Sequence, residues 1–367
     1  MEKKKVLMVA NNDLGIGGIQ SVIMSIVRSL SADFQFDILV FDHTNTNYES
    51  EVLQQGKIFT VQNVMNGNNF RKKIDFYIRF PKNYLEIKKI IQTNGPYTAI
   101  HCHNFFESSI SLLAAKQEKI PRRLVHSHSV LYVNKRKYMR RFYQYIYRKI
   151  ILNTATDLLA CSSLAGNYLY GKRHDVKIIP NGIDVRKFAT FKGVCDNQWS
   201  FIQVGRWGTV KNQLFTIDVF FNIHKAFPQS KLTFIGGGDE NYLNKIKDKV
   251  KSLNIEESVI FLPEDSNVPL IMSNNNALIF PSVFEGLGIV AIEAQALGMH
   301  CFVSDSIPKE VDLGNVSFLD LHRGAQFWAT YIIDKIKKNG NERHYVNMDK
   351  FDMENVREIY RTLYGGD

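Results

Sequence analysis

The chain has 367 residues, 45% apolar and 22% charged, with no low-complexity tract. This excludes a disordered or fibrous protein and suits two domains of roughly 150 to 200 residues with a cleft between them. The net charge of +10 is lopsided: residues 1–180 carry 26 Lys and Arg against 13 Asp and Glu, the remainder 20 against 23, so an anionic partner is expected for the first half alone.

Cys102, Cys161, Cys195 and Cys301 lie far apart with no Cys-x-x-Cys pair, which argues against a disulfide framework or structural zinc and for a reducing cytosol. The opening MEKKKVLMVANND reaches polar residues after about five apolar ones, too few for the apolar region of a signal peptide. No apolar run approaches the roughly 18 residues of a spanning helix. The expectation is a protein neither exported nor threaded through a bilayer.

Short β-rich runs alternate with amphipathic ones along the chain: 6–10 then 19–30, 36–41, and 99–103 then 105–116. The second half repeats the pattern with 201–204, 213–227, 232–235, 242–253, 259–262, 277–280, 289–297 and 301–303. Strand, helix, strand implies parallel sheets, and runs such as ALIF, apolar on both faces, imply strands covered on each side. An α/β fold of two Rossmann-like lobes follows. The hinge is placed in IIPNGIDVRKF, 178–188, where Pro180, Asn181 and Gly182 make a turn after a strand, and a second boundary near 339–341 precedes a closing helix from about Met353 to Leu363. The resulting divisions are 1–180, 181–345 and a C-terminal segment 346–367 packing back toward the first domain. Ligands of open parallel sheets sit beyond the carboxyl ends of the strands.

At one such end, FEGLGIVAIEAQALG (284–298) brackets a glycine turn with two carboxylates, Glu285 in the loop and Glu293 about one turn into a helix. Eight residues of helix span about 12 Å, the reach of a sugar-diphosphate-ribose chain. Gly286, Leu287 and Gly288 offer amides at a helix N-terminus, suited to a phosphate. The plain alternative, a helix-start acid and an exposed helix residue, fits poorly with a helix apolar nearly all round, in which Glu293 is expected to face a cleft.

With VGRWGTVKN (204–212), PNGID (180–184), PSVFEGLGIVAIEAQALG (281–298) and GIGG (15–18) in this order, the chain resembles the retaining glycosyltransferases of family 4 over nearly its whole length. It looks most like the members that build bacterial exopolysaccharide and capsule. The resemblance implies a GT-B fold, its lobes' parallel sheets facing a central cleft, and the Glu-x7-Glu signature on Glu285 and Glu293.

Glycosyl transfer from a nucleotide sugar expels a diphosphate, whose growing charge needs positive groups. Asp-x-Asp, the usual metal-holding triplet, is absent from the sequence. Arg206 and Lys211, in the loop before the helix at 213, are by resemblance the diphosphate-binding cations, and no cofactor or metal is expected. Gly17 and Gly18 open a helix near Ile19 and form either an anion-friendly turn or only a tight one. The family sets this loop against donor phosphate and acceptor, but Gln20 stands where many members carry an acid.

IHCHN and VHSHS put His101 with His103, and His126 with His128, on one face of a strand. Four imidazoles allow a zinc hydrolase as an alternative, although no water-activating Glu accompanies them. By resemblance His128 contacts the transferring sugar, with His126 and His103 as second choices. No carboxylate suits a double-displacement nucleophile, and the family is usually discussed in terms of front-face transfer, in which the leaving phosphate takes the acceptor's proton.

YVNKRKYMRRFYQYIYRKI (132–150) interleaves cations, among them Arg136, Arg140 and Arg141, with aromatic residues, and 71–82 has the same character. Such segments suit an anionic membrane surface, a solvated helix face, or RNA, for which no recognised motif is present. The sequence therefore leads to an enzyme moving a sugar, from a UDP-sugar by expectation, to a polyprenyl-linked surface-glycan acceptor. It is expected in the cytoplasm, peripheral on the inner face of the membrane, with no nucleic acid partner. A UDP-sugar epimerase or phosphorylase of the same fold is the nearest alternative, with a four-His metal hydrolase and an RNA binder behind it.

Overall fold

The structure, a computed structural model, describes residues 3–10, 13–15, 17–42, 47–61, 80–129, 138–191, 199–340 and 342–366, with backbone alone at 138–141 and 339. The sequence expectations for 71–79, for Arg136 and Cys195, and for the Arg140 and Arg141 side chains lie outside these residues. The chain forms two compact units, 1–183 with 352–367 and 184–351.

In the first unit the strands are β1 (Lys4–Val9), β2 (Phe34–Val40), β3 (Ile58–Thr60), β4 (Ala99–Cys102), β5 (Arg122–Ser127), β6 (Asp157–Ala160) and β7 (Val176–Ile178). They form one parallel sheet of order β3-β2-β1-β4-β5-β6-β7. The helices are α1 (Gly18–Leu30), α2 (Glu49–Leu53), α3 (Phe80–Asn94), α4 (Ser108–Gln117), α5 (Tyr138–Thr154) and α6 (Ser163–Tyr170). The sheet is a doubly wound one because each apolar strand needs cover on both faces: Leu7, Val9, Ile100 and Val125 are fully buried, as are Met8 and Leu124 beside them. Ser162 caps α6 by accepting from the Ala165 amide at 3.1 Å. The periodic run at 105–116 is not one helix: Phe105 has φ 62°, so Phe105–Glu107 makes a separate 3-10 turn before α4.

The second unit adds α7 (Val185–Ala189), β8 (Ser200–Val204), α8 (Gln213–Ala226), β9 (Lys231–Gly236), α9 (Glu240–Ser252), β10 (Val259–Pro263) and α10 (Val268–Ser273). It continues with β11 (Ala277–Phe280), α11 (Ile289–Ala296), β12 (His300–Ser304), β13 (Val316–Leu319) and α12 (Gly324–Asn339). Its parallel sheet has the order β10-β9-β8-β11-β12-β13. Phe201, Phe220, Phe234, Phe302 and Trp328 are fully buried around it, each ring stabilising the fold by about 2–3 kcal/mol through burial.

The chain then returns. Met353 donates to the Ile183 carbonyl at 3.0 Å, and α13 (Met353–Leu363), capped by Asp352, packs on α1 within the first unit. Its period places Val356, Tyr360 and Leu363 inward. Tyr364, just past its end, meets Phe34 edge-on at 5.6 Å between ring centroids.

Candidate functional site

In the second unit the strand order reverses between β8 and β11, the place where the loops of a doubly wound sheet splay apart. The loop after β8 (205–212) carries Arg206 and Lys211; the loop after β11 (281–288) carries Glu285. Val283 donates to the Val210 carbonyl at 2.8 Å and the Asn212 amide to the Pro281 carbonyl at 3.2 Å, so the two loops are stitched together. Across that seam the Lys211 ammonium meets the Glu285 carboxylate at 2.5 Å and stands 5.0 Å from the centre of the Phe280 ring. Arg206 is exposed and unpaired among the described residues.

The loop holding these cations is shaped by residues that sequence reasoning passed over. Gln213 is fully buried; its amide donates to the Arg206 carbonyl at 2.9 Å and to the Gly205 carbonyl at 3.5 Å, and its oxygen accepts from Gly208 at 3.4 Å. Gln203 donates to the Lys211 carbonyl at 2.6 Å. Gly205 donates to Ile235 and Trp207 to Gly237, both at 2.9 Å, so the loop runs against the end of β9. A side chain at Gly236 would strike the Gly205 carbonyl. The signal that marks Gln213 in the sequence is an amide at the first helical position, directly before the apolar pair Leu214 and Phe215.

Gly286, Leu287 and Gly288 are buried at the start of α11, where Gly288 adopts φ 100°, a conformation that favours glycine. Glu293 sits on α11, half-buried, with no hydrogen bond or ion pair to a described residue. Burial pushes its carboxyl up to about 7, opposed by the Lys187 charge from α7. Gln295 on the same helix anchors α11 by donating to the Val311 carbonyl at 2.8 Å and accepting from Leu313 at 2.9 Å.

In the first unit the corresponding reversal lies between β1 and β4. Gly17 is the extended N-cap of α1 and Gly18 its first residue; Gln20 turns back to the Asp13 carbonyl at 3.4 Å. His101 and His126 lie on β4 and β5, His103 and His128 one residue beyond each strand, and all four are buried on one face. His103 Nδ1 lies 2.7 Å from His128 Nε2, and His128 Nδ1 lies 3.1 Å from Asn181 Oδ1 in the PNGID turn. Burial lowers the pKa of His128 to about 4, against the Asn181 hydrogen bond, and lowers His101, His103 and His126 well below the ordinary value. All four are therefore neutral at pH 7.

The chain is similar to known proteins in sequence and in fold. A model described as glycosyl transferases group 1 matches residues 185–313, and one described as glycosyltransferase family 4 matches residues 16–187. EpsF of Bacillus subtilis (strain 168) is 28% identical over 362 residues, 94% of this chain and 91% of that one. The capsular polysaccharide biosynthesis glycosyltransferase CapH of Staphylococcus aureus is 25% identical over 95% of both chains. The Escherichia coli UDP-Gal:alpha-D-GlcNAc-diphosphoundecaprenol alpha-1,3-galactosyltransferase is 25% identical over 62% of each. Among solved structures, Anabaena HepE in complex with UDP and glucose matches 99% of this chain and all of its own, with a TM-score of 0.76 at 16% identity.

Proposed function

The chain belongs to the family 4 glycosyltransferases and has the GT-B fold, and from that premise we propose that it transfers a sugar, with retention, from a UDP-sugar to a lipid-linked surface-glycan acceptor. The observation that carries the proposal is the Lys211–Glu285 pair at the reversal of the second sheet, with Arg206 unpaired on the same loop.

Diphosphate departure builds negative charge on the nucleotide, and fixed cations lower the barrier most where they need not move to meet it. Lys211 is held by Glu285, and the Arg206 backbone by Gln213. Arg206 adds a two-pronged donor. The amides at Gly286–Gly288 receive phosphate, Glu285 keeps one oxygen on Lys211 and offers the other to sugar hydroxyls, and Glu293 accepts from the ribose. In the first unit Asn181 orients His128 toward the sugar, and Gly17 and Gly18 line the donor and acceptor side. The leaving diphosphate takes the acceptor's proton on the face it vacates. Arg206 and Lys211 perform without a metal the role that a metal plays elsewhere.

UDP is favoured by the HepE complex, and a lipid-linked acceptor by the name of the E. coli relative. Attachment to an anionic membrane through 71–82 and 132–149 is supported by α5, where Phe142 and Tyr145 are 63% and 53% exposed and the Lys149 ammonium lies 4.6 Å from the Tyr145 ring centre. No helix among the described residues is long and apolar enough to cross a membrane. A thermal-shift screen of UDP-, GDP- and dTDP-sugars tests the donor, since a ligand of the folded form raises its melting point. NMR of the product's anomeric configuration tests retention. Turnover that requires added Mn2+ or Mg2+, or an inverted product, overturns the corresponding part.

A further inference from the structure

We propose that His101, His103 and His126 form a binding site for one zinc-class divalent cation inside the first unit, separate in its ligands from the transfer machinery. One ring nitrogen from each of the three lies within 4.8 Å of the others. The Nε2 atoms of all three are buried and have no protein partner among the described residues, whereas each Nδ1 has one. A metal-bound histidine commonly shows this division, one nitrogen held by an outer partner and the other facing the cation.

The hydrogen-bond chain from Asn181 sets the protons on His128 and His103. Asn181 Oδ1 only accepts, so His128 Nδ1 donates to it and leaves a lone pair on Nε2. That lone pair receives the proton of His103 Nδ1, and His103 Nε2 is left bare. The Tyr364 hydroxyl lies 2.7 Å from His101 Nδ1 and 3.8 Å from Met8 Sδ; with its proton on the sulfur it accepts from Nδ1 and His101 Nε2 is bare as well. The Tyr360 hydroxyl lies 3.4 Å from His126 Nδ1 and occupies that nitrogen, so Nε2 is the nitrogen of this ring without a partner among the described residues. Three buried rings, each with an Nε2 that has no protein partner among the described residues and each able to bring a ring nitrogen within 4.8 Å of the others, suit a Lewis acid, since burial disfavours the alternative of a proton.

Imidazole nitrogen suits zinc rather than magnesium or calcium, which take oxygen. Zinc–nitrogen bonds of about 2.0–2.1 Å place tetrahedral ligand atoms about 3.4 Å apart, so separations of up to 4.8 Å shorten by at most about 1.4 Å. No carboxylate of a described residue belongs to the cluster, so a water in the fourth position has no base beside it. The cation is structural: it ties β4 and β5, through Tyr360 and Tyr364, to the returning helix α13.

The test is metal content of the full chain after equilibration with Zn2+ and gel filtration, together with a Co2+ titration read in the visible spectrum. The expected result is a single retained zinc per chain and the intense bands of tetrahedral cobalt. His103→Gln and His126→Gln lose both, while Tyr364→Phe, which keeps the ring, weakens binding about tenfold. Wild-type protein that retains no zinc, a cluster satisfied by water only, overturns the proposal, as does zinc retention unchanged in His101→Gln, His103→Gln and His126→Gln alike.

Discussion

Both units gather polar side chains at the carboxyl ends of parallel strands, on the two strands flanking the reversal in the second unit and on β4 and its neighbour β5 in the first, and treat them in opposite ways. In the second unit the groups are charged and within reach of solvent: Arg206 is exposed, and Lys211 and Glu285 are part-buried and neutralise one another. In the first unit they are imidazoles held neutral by burial, with tyrosines and Asn181 on their outer nitrogens. Position in the fold thus selects where polar groups gather, while depth decides whether they keep their charge. A charged loop can meet a charge that appears during reaction; a neutral buried cluster can orient a group or bind a cation.

The comparison is broken most directly at Lys211. Lys211→Ala removes a fixed cation from a site built around charge, and turnover should fall about 10²–10³-fold in an assay of UDP release. Loss confined to KM would mean that Lys211 serves ground-state binding alone. Gln213→Ala leaves buried carbonyls unmet at the Arg206 loop, with an expected stability loss of about 1–3 kcal/mol in denaturant unfolding and a parallel loss of turnover.

pH separates the units by sign. Glu293 is raised to about 7 from an ordinary 4.5, so between those values the folded chain holds more protons than the unfolded one. Its contribution to stability falls as pH rises from about 4.5 to about 7. The histidines run the other way: with His128 lowered to about 4 from 6.5, the unfolded chain holds more protons in that window, and stability complete above 6.5 is lost as pH falls. In melting curves of metal-stripped protein, Glu293→Gln should flatten the first trend, and His101→Phe should reduce the second. The smallest effect is expected on α5, where Phe142→Ser with Tyr145→Ser should weaken sedimentation with anionic liposomes by a few-fold and leave turnover of a soluble acceptor unchanged.

Much of this was legible in the sequence. The alternation of strand and helix runs gave the two parallel sheets, and the closing helix Met353–Leu363 stands where its period put it. The glycine-bracketing carboxylate named Glu285 and the family resemblance named Lys211, 74 positions apart, and the structure brings them to 2.5 Å. Phe105 was read as helical because periodicity does not report a positive φ. Gln213 and Gln203 went unnoticed because an amide acquires its role from the carbonyls around it, and these come from a loop whose path is set by Gly205 and Gly236.

The sequence by itself determined the class of fold, the ends of the strands where polar residues collect, and the identity of the charges offered there, since these follow from periodicity and residue chemistry. Only the tertiary structure decided which of those groups remain charged and which ring nitrogens find a partner. Desolvation and hydrogen-bond direction depend on what packs from elsewhere in the chain: for His101 and His126, the decisive neighbours are Tyr364 and Tyr360, more than 230 positions away.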